Sequence, residues 1–335
     1  MSLTGPKKKL GKYQNPIPTH EAGFAKLIPI LKEYITNKEE VVPKNTLGPF
    51  KTHTSVYHTP PVSGLRITWV GHSSLLIEID GKRILTDPVW SDRASFSRFF
   101  GPKRFYQPPV ALANLPPLDA VIVSHDHYDH LDKDTIKFFA GKTIPFYCSC
   151  GVGQYIHKWG VQKDFITEMD WGDSAMIDND CVITAAPARH FSGRGLVGRN
   201  ETLWSSFVIK GSKHNIFFGA DSGWFPGFAD IGNTYGPFDL TMLEIGAYGE
   251  NWPDIHMGPD HASNAHKALK GKLMMPIHWG TFNLALHAWY EPIEKLVTYA
   301  KEKHIKLFVP EPGEPTEVDG EYNSEWWRQY MQATD

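Results

Sequence analysis

The stretch DAVIVSHDHYDHLD, residues 119–132, decides how this chain is read. Its first half is a short unbroken apolar run suited to a buried strand. Directly behind it, His125, Asp126, His127, Asp129, His130 and Asp132 place three imidazoles and three carboxylates within eight residues. Alternate residues of an extended turn point the same way, so His125 and His127 can share one metal while Asp129 and His130 open toward a second. Imidazole nitrogen and carboxylate oxygen are donors of the kind zinc takes, and no thiolate adjoins them, which describes a hard, hydrolytic site. A polar loop with unrelated histidines does not account for this density after a buried strand. Three more candidates each follow an apolar run: His190 after CVITAAPAR, Asp221 after NIFFGA and His278 after KLMMPI. Strand ends on one edge of a sandwich converge, and Asp221, the remaining carboxylate in a suitable place, is expected to bridge the two metals.

Upstream of the motif, LRITWV from Leu65, then SLLIEI, an Asp80-Gly81 turn and KRILT predict a strand followed by a hairpin. Downstream, TIPFYC, CVITAAP, WSSFVI, NIFFGA, DLTMLEI, KLMMPI and IKLFV predict further strands. Helices are expected over 133–140, over 259–269 with Pro259 in the first turn, and over 290–303. Two β-rich halves, each passing into alternating helices and strands, predict an α/β (α+β) fold built as a four-layer αββα sandwich over residues 61–335. Residues 1–60, rich in Lys, Pro and Thr, are read as an arm packed on that domain, with one amphipathic helix around 24–35 that Pro29 weakens. No repeat of fixed period is visible, which argues against a solenoid or a propeller.

The 335 residues are 41% hydrophobic and 21% charged, enough to bury a full core. Lys plus Arg number 34 against 37 Asp plus Glu, a net charge of -3 that predicts no nucleic-acid partner. No apolar stretch approaches the roughly 18 residues of a membrane span. The basic start MSLTGPKKKLGKYQNP has no apolar segment behind it, so no secretory signal is read and a cytoplasmic location is expected. Cys148, Cys150 and Cys181 form no CxxC pair and are read as small buried hydrophobes. Lys7, Lys8, Lys9 and Lys12, with the segment near Phe24, are candidates for peripheral membrane contact, set against the plainer readings of a solvated tail and a packed helix. Asp87 in LTDP, Asp132 in HLD and His72 in WVGHS are candidates to orient ligand histidines, or else turn and cap residues. Arg104 in GPKRF is read as a solvated side chain before a phosphate contact. Trp204, Trp224, Phe225, Trp252 and Trp279, near the proposed ligands, serve as core or as walls of a channel for acyl chains.

From about 65 to 309 the chain resembles the metallo-β-lactamase superfamily, and within it the N-acyl-phosphatidylethanolamine-hydrolysing phospholipase D family. LRITWVGHSS, LTDPVWSDRAS, GPKRF, LPPLDAVIVSHDHYDHLD, FFGADSGW, YGPFDL, IGAY and IHWGTF carry the resemblance. H-x-H-x-D-H by itself identifies only the superfamily, whereas YGPFDL with IGAY and IHWGTF is more specific to the phospholipase D branch. The resemblance implies the αββα fold and two zinc ions per chain, with manganese or iron as the alternatives. It assigns His125, His127 and His190 to the first ion and Asp129, His130 and His278 to the second, with Asp221 bridging. His256, in IHMGPDH, falls where the family has a histidine lining the reacting phosphate, a transition-state contact or leaving-group proton donor; its plainer reading is a helix-start residue before Pro259. Asp129, Asp221 and His256 are thus the catalytic candidates.

The oxygen-reducing di-iron branch has a carboxylate where this chain has His127, and the β-lactam-hydrolysing branch typically has a cysteine at the second metal, so hydrolysis of a phosphodiester or related ester is expected. The implied reaction attacks a phospholipid with a hydroxide held by two zinc ions and releases N-acylethanolamine and phosphatidic acid. The first alternative keeps the metals but takes a small substrate, a sugar-phosphate lactone or a nucleotide phosphodiester. The second is a non-catalytic metal-binding protein on an inherited enzyme fold. Candidate partners are a phospholipid or small phosphoester, a membrane surface contacted peripherally, and a second copy of the chain.

Overall fold

Residues 5–6, 8–20, 36–195 and 197–331 are described by a computed structural model, and its first sheet opens on the hairpin read at Asp80-Gly81. Strands β1 (Leu65–Gly71), β2 (Ser74–Ile79) and β3 (Lys82–Thr86) run antiparallel. Asp80 and Gly81 take φ of 48° and 87°, the pair of left-handed residues that a twisted two-residue turn requires. Strands β4 (Ala120–Val123), β5 (Phe146–Ser149) and β6 (Ile166–Met169) then add in parallel beyond β3.

The second sheet starts with β7 (Ser174–Asp178), β8 (Cys181–Ala186), β9 (Ser206–Lys210) and β10 (Asn215–Phe218), all antiparallel neighbours. It ends with β11 (Phe238–Glu244) and β12 (Gly271–Ile277), which are parallel to β10. Last, β13 (Pro315–Glu317) returns to β1, so the sheets have the orders β13-β1-β2-β3-β4-β5-β6 and β12-β11-β10-β9-β8-β7.

The strand period of two sorts the side chains. Ile67, Ile77, Ile84 and Ile122 enter the core between the sheets, where they join Ile183, Ile209, Phe217 and Met242. Their neighbours Leu76, Leu85, Val121 and Val123 face the opposite way, onto Ile136, Phe139 and Ile156 of α1 (Lys133–Phe139) and α2 (Gly153–Lys158). On the far side, α3 (Gly227–Thr234), α4 (Pro259–Ala268) and α5 (Glu291–Lys303) cover the second sheet with Phe228, Ile231, Ala265 and Leu296. Helix, sheet, sheet and helix make the four layers expected.

Strands β6, β7 and β13 and helices α2 and α3 carry no clear sequence signal, because the first three lie at sheet edges and stay half-exposed. IKLFV supplies only Phe308–Val309, paired with Tyr322–Asn323 outside both sheets. Of the N-terminal segment, Tyr13 is buried with Trp171, Leu203 and Trp204, while the helix read around 24–35 lies outside the described residues. Cys148 and Cys181 are buried and Cys150 half-buried, all three free. Among the described residues no helix is long and apolar enough to cross a membrane.

Candidate metal centre

Strands β1, β3 and β4 point the same way, and so do β8, β10, β11 and β12. The residues that follow them are His72, Asp87, His125, His190, Asp221 and His278, with Glu244 closing β11, so one rim of the sandwich collects them all. Four of these turns bend through left-handed backbone at a residue other than glycine: His72 (φ 55°), Asp87 (φ 34°), Ala220 (φ 47°) and His278 (φ 62°). Such residues cost about 1–3 kcal/mol each and persist only where the surroundings hold them. Here the holding is visible: His278 donates its backbone N–H to the His72 carbonyl (3.1 Å), which also accepts from Trp69 Nε1 (2.9 Å), and Trp69 and Trp279 stack beneath at 5.4 Å. Gly246 is required beside this turn, since a Cβ there would lie 2.3 Å from the His278 carbonyl.

Within the rim, His125, His127, His190 and Asp221 bring one donor atom each to within 4.8 Å of one another, and His72, Asp129, His130 and His278 do the same. His127 Nδ1 lies 2.9 Å from His125 Nε2 and 3.2 Å from His190 Nε2. In the second group, Asp129 Oδ2 lies 3.5 Å from His130 Nε2 and 3.4 Å from His278 Nε2. Asp221 reaches both groups, at 3.1 Å from His130, 3.2 Å from His278, 3.6 Å from His190 and 3.9 Å from His125. His130 Nε2, His278 Nε2 and Asp221 Oδ1 are buried and form no directed hydrogen bond, which is costly unless a cation takes their lone pairs. The donor set and the orphaned atoms fit two divalent ions of the zinc class.

The opposite ring atoms of His125, His130 and His190 are held by partners, while His278 Nδ1 has none among the described residues. Asp87 Oδ2 accepts from His130 Nδ1 (2.7 Å), the Ile255 carbonyl from His190 Nδ1 (2.8 Å), and Ser124 Oγ lies 2.9 Å from His125 Nδ1. Burial pushes His125 and His190 well below the ordinary imidazole range and His72 down to about 3. Burial acts the same way on His130 and His278, but Asp221 and Asp129 outweigh it, raising His130 well above its ordinary value and His278 to about 10. Burial pushes the Asp129 and Asp221 carboxyls up, yet the charge of His130, joined at Asp221 by His278, holds both well below the usual carboxylate range. Asp129 and Asp221 thus face protonated His130 and His278, protons that a divalent cation would displace.

Replacing Asp87 with alanine is expected to lower metal affinity about 10- to 100-fold, because His130 loses the acceptor that fixes its tautomer. Competition against a chromophoric chelator reads this directly, and unchanged affinity would remove Asp87 from the support of the centre.

His125, His127, Asp129, His130, His190, Asp221, His256 and His278 all lie at this rim. His256 is not a helix-start residue: Gly258 caps α4, and the His256 ring stacks at 5.3 Å on His278 with Nδ1 donated to Glu244 Oε2 (2.6 Å). Gly223 makes that approach possible, since a Cβ there would lie 1.7 Å from the Asp254 carbonyl. His72 Nε2 is bonded to Asp129 Oδ2 (2.9 Å), which settles its place beside the second group. Asp132 does not touch a ligand histidine: it caps α1 and accepts from the Ser91 N–H and hydroxyl. Arg104 is buried rather than solvated, 5% exposed, with Nη2 on the Val89 carbonyl, and burial pulls its guanidinium down to about 10. Trp204 and Phe225 are core residues, Trp279 is buried and lines a small cavity beside His278, Trp252 is half-buried and Trp224 is 37% exposed.

Two contributors escaped the sequence reading. Glu244 is wholly buried, accepts from Ser222 N and His256 Nδ1, and is pushed up by burial; its signal was a carboxylate closing the apolar run DLTMLEI. Asn15 exchanges two hydrogen bonds with the His190 backbone, at 2.7 and 3.0 Å, and nothing local marks it.

The profile described as "Beta-lactamase superfamily domain" matches residues 82–279. An uncharacterized protein of Mycobacterium tuberculosis is 49% identical over 271 residues, 79% of this chain and 72% of that protein. N-acyl-phosphatidylethanolamine-hydrolyzing phospholipase D 1 of Caenorhabditis elegans is 40% identical over 246 residues, 70% of this chain and 69% of that protein. Among solved structures, isothiocyanate hydrolase from Delia radicum gut bacteria shares the fold with a TM-score of 0.61 at 21% identity, over 75% of this chain and 98% of that one.

Proposed function

The chain belongs to the β-lactamase superfamily, and from that premise we propose that it is a di-zinc phosphodiesterase of phospholipase D type, cleaving N-acyl-phosphatidylethanolamine or a related phospholipid. The observation that carries this reading is the pair of His/Asp groups joined at Asp221, with His256 alongside. The relative in Caenorhabditis elegans supports the choice of substrate. His125, His127 and His190 would hold one ion and Asp129, His130 and His278 the other, with Asp221 between them. Bound there, the ions would supply Lewis-acid stabilisation of phosphoryl oxygens and bring the pKa of water toward neutrality.

The chain's own groups do the rest. In the overall reaction water adds to phosphorus and the bond to the ethanolamine oxygen breaks, leaving phosphatidic acid and an N-acylethanolamine. His256, its Nδ1 committed to Glu244, presents Nε2 to the reacting phosphate as a transition-state contact or leaving-group proton donor. Glu244 is a positioning residue that orients the ring and would stabilise the imidazolium whose Nε2 proton goes to the phosphate or the leaving oxygen, as the buried acid does in hydrolytic triads. His256→Gln and Glu244→Ala are each expected to lower kcat about 100-fold with little change in KM. Glu244→Gln, which keeps one acceptor, recovers part of the loss. Equal activity in the alanine and glutamine variants would remove the positioning role.

The alternative keeps the metals and takes a small substrate, a sugar-phosphate lactone or a nucleotide phosphodiester. The deciding experiment offers N-acyl-phosphatidylethanolamine in detergent micelles, a chromogenic phosphodiester and a lactone to metal-analysed protein. Chelator-sensitive release of N-acylethanolamine with about two zinc ions per chain supports the phospholipase D reading. Turnover of the small esters alone would transfer the function to the alternative.

A further inference from the structure

Three of the most exposed large hydrophobic side chains among the described residues lie within one six-residue loop, Ser95–Phe100: Phe96 at 84%, Phe99 at 82% and Phe100 at 73%. Scattered single apolar residues on a surface need no account, but a cluster of large rings does. The loop is built to hold them out. Arg93 and Lys103 pair across its base, Ala94 N donates to the Pro102 carbonyl (3.0 Å), and Ser95 and Ser97 hydroxyls accept from the N–H groups of Ser97 and Phe99.

Beside the loop runs a groove of ≈ 860 Å³ lined by six Lys and Arg side chains against three Asp, in a chain of net charge -3. Lys133, Lys137 and Lys158 are exposed along it, and Arg98 reaches across to Asp134 (3.1 Å). Asp132, one of the three carboxylates, is taken up by its bonds to Ser91 and α1. Apolar tips set among cations, locally opposite in sign to the whole molecule, match an anionic bilayer: rings at the acyl boundary, ammonium and guanidinium groups on headgroup phosphates. A second copy is the poorer occupant, because a two-fold interface would set this positive patch against itself.

We propose that loop Ser95–Phe100 and the adjoining basic groove form the surface by which this chain docks on anionic membranes. This deepens the lipid reading above and rests on it for its purpose. The Phe96 ring lies 6.4 Å from the Tyr128 ring, and Tyr128 stands between His127 and Asp129, so headgroups gathered here border the metal centre.

Sedimentation with vesicles of phosphatidylcholine alone, or with added phosphatidylglycerol, tests the surface without turnover. The chain is expected to bind the anionic vesicles at least about tenfold more tightly, with affinity falling as salt rises. A Phe96→Ser, Phe99→Ser, Phe100→Ser variant is expected to lose at least about tenfold in binding, with hydrolysis of the chromogenic phosphodiester and the melting midpoint unchanged. An Arg98→Gln, Lys133→Gln, Lys137→Gln variant is expected to lose the preference for anionic vesicles. No vesicle binding by the native chain, or full binding by the phenylalanine variant, overturns the proposal. So does a native dimer that the phenylalanine substitutions convert to monomer without a change in vesicle binding. Vesicle binding without hydrolysis of the N-acylated lipid would sink the substrate reading and leave the surface standing.

Discussion

Asp221→Ala is expected to lose at least about 1000-fold in hydrolysis and to retain fewer metal ions than the native chain. The size of the effect follows from placement: one buried carboxylate, 3% exposed, lies within 3.9 Å of His125, His130, His190, His256 and His278. Its charge is what outweighs burial at His130 and His278 and raises both. Without it, Asp129 remains on the inner side of these rings, with Asp87 behind His130 and Glu244 behind His278, and the two donor groups lose the residue that joins them. Removing one member of a buried charged set also costs about 3–5 kcal/mol of folding stability. Asp221→Asn keeps the shape and removes the charge, so it separates the two effects: activity should fall nearly as far as in the alanine variant, stability less. Metal analysis, steady-state kinetics and a thermal melt on the three proteins decide the matter. Full activity in Asp221→Ala would end the bridging assignment.

Removing metal from the native chain should be the next largest effect. The rim buries the carboxyl groups of Asp87, Asp221 and Glu244 together with five histidines at most 2% exposed. Orphaned lone pairs there favour the folded chain only when a cation satisfies them. Ions present at about 1000 times their dissociation constant would stabilise the fold by about 4 kcal/mol. For a chain of this size that corresponds to a fall of about 6 °C in melting midpoint on chelation. Zinc should restore midpoint and activity together, and the same chelator should leave the Asp221→Ala midpoint nearly unmoved. An unchanged midpoint and full activity in chelator would remove the metal centre altogether.

The motif over 125–130 was legible because its donors are neighbours in sequence and the apolar run Ala120–Val123 announces a buried strand that ends beside them. His190, Asp221 and His278 were legible by the same logic, each at the end of an apolar run, although no count along the chain says that those ends meet. His256 rested on family resemblance alone. Edge strands such as Ser174–Asp178, half-exposed along their length, left no period to read.

Partners distant in sequence could not be read at all. His72 meets Asp129 across 57 residues, and Asn15 meets His190 across 175. Arg104 looked like a solvated cation because charge predicts exposure, yet the loop carries it beneath Phe282. Of the aromatic residues offered as core or channel walls, Trp279 joins the stack of Trp69 and Trp326 and Trp204 packs against Trp171.

The amino-acid order by itself determined the central strands of both sheets, helices α1, α4 and α5 and the chemical class of the donors, since apolar period and residue type are local properties. Only the tertiary structure decided which donors share an ion, which ring nitrogen faces it, that Glu244 anchors His256 and that three phenylalanines stand out in water. Those depend on strand order and on the parallel ends of β1, β3, β4, β8, β10, β11 and β12, and long-range hydrogen bonds form only once both sheets have closed on one core.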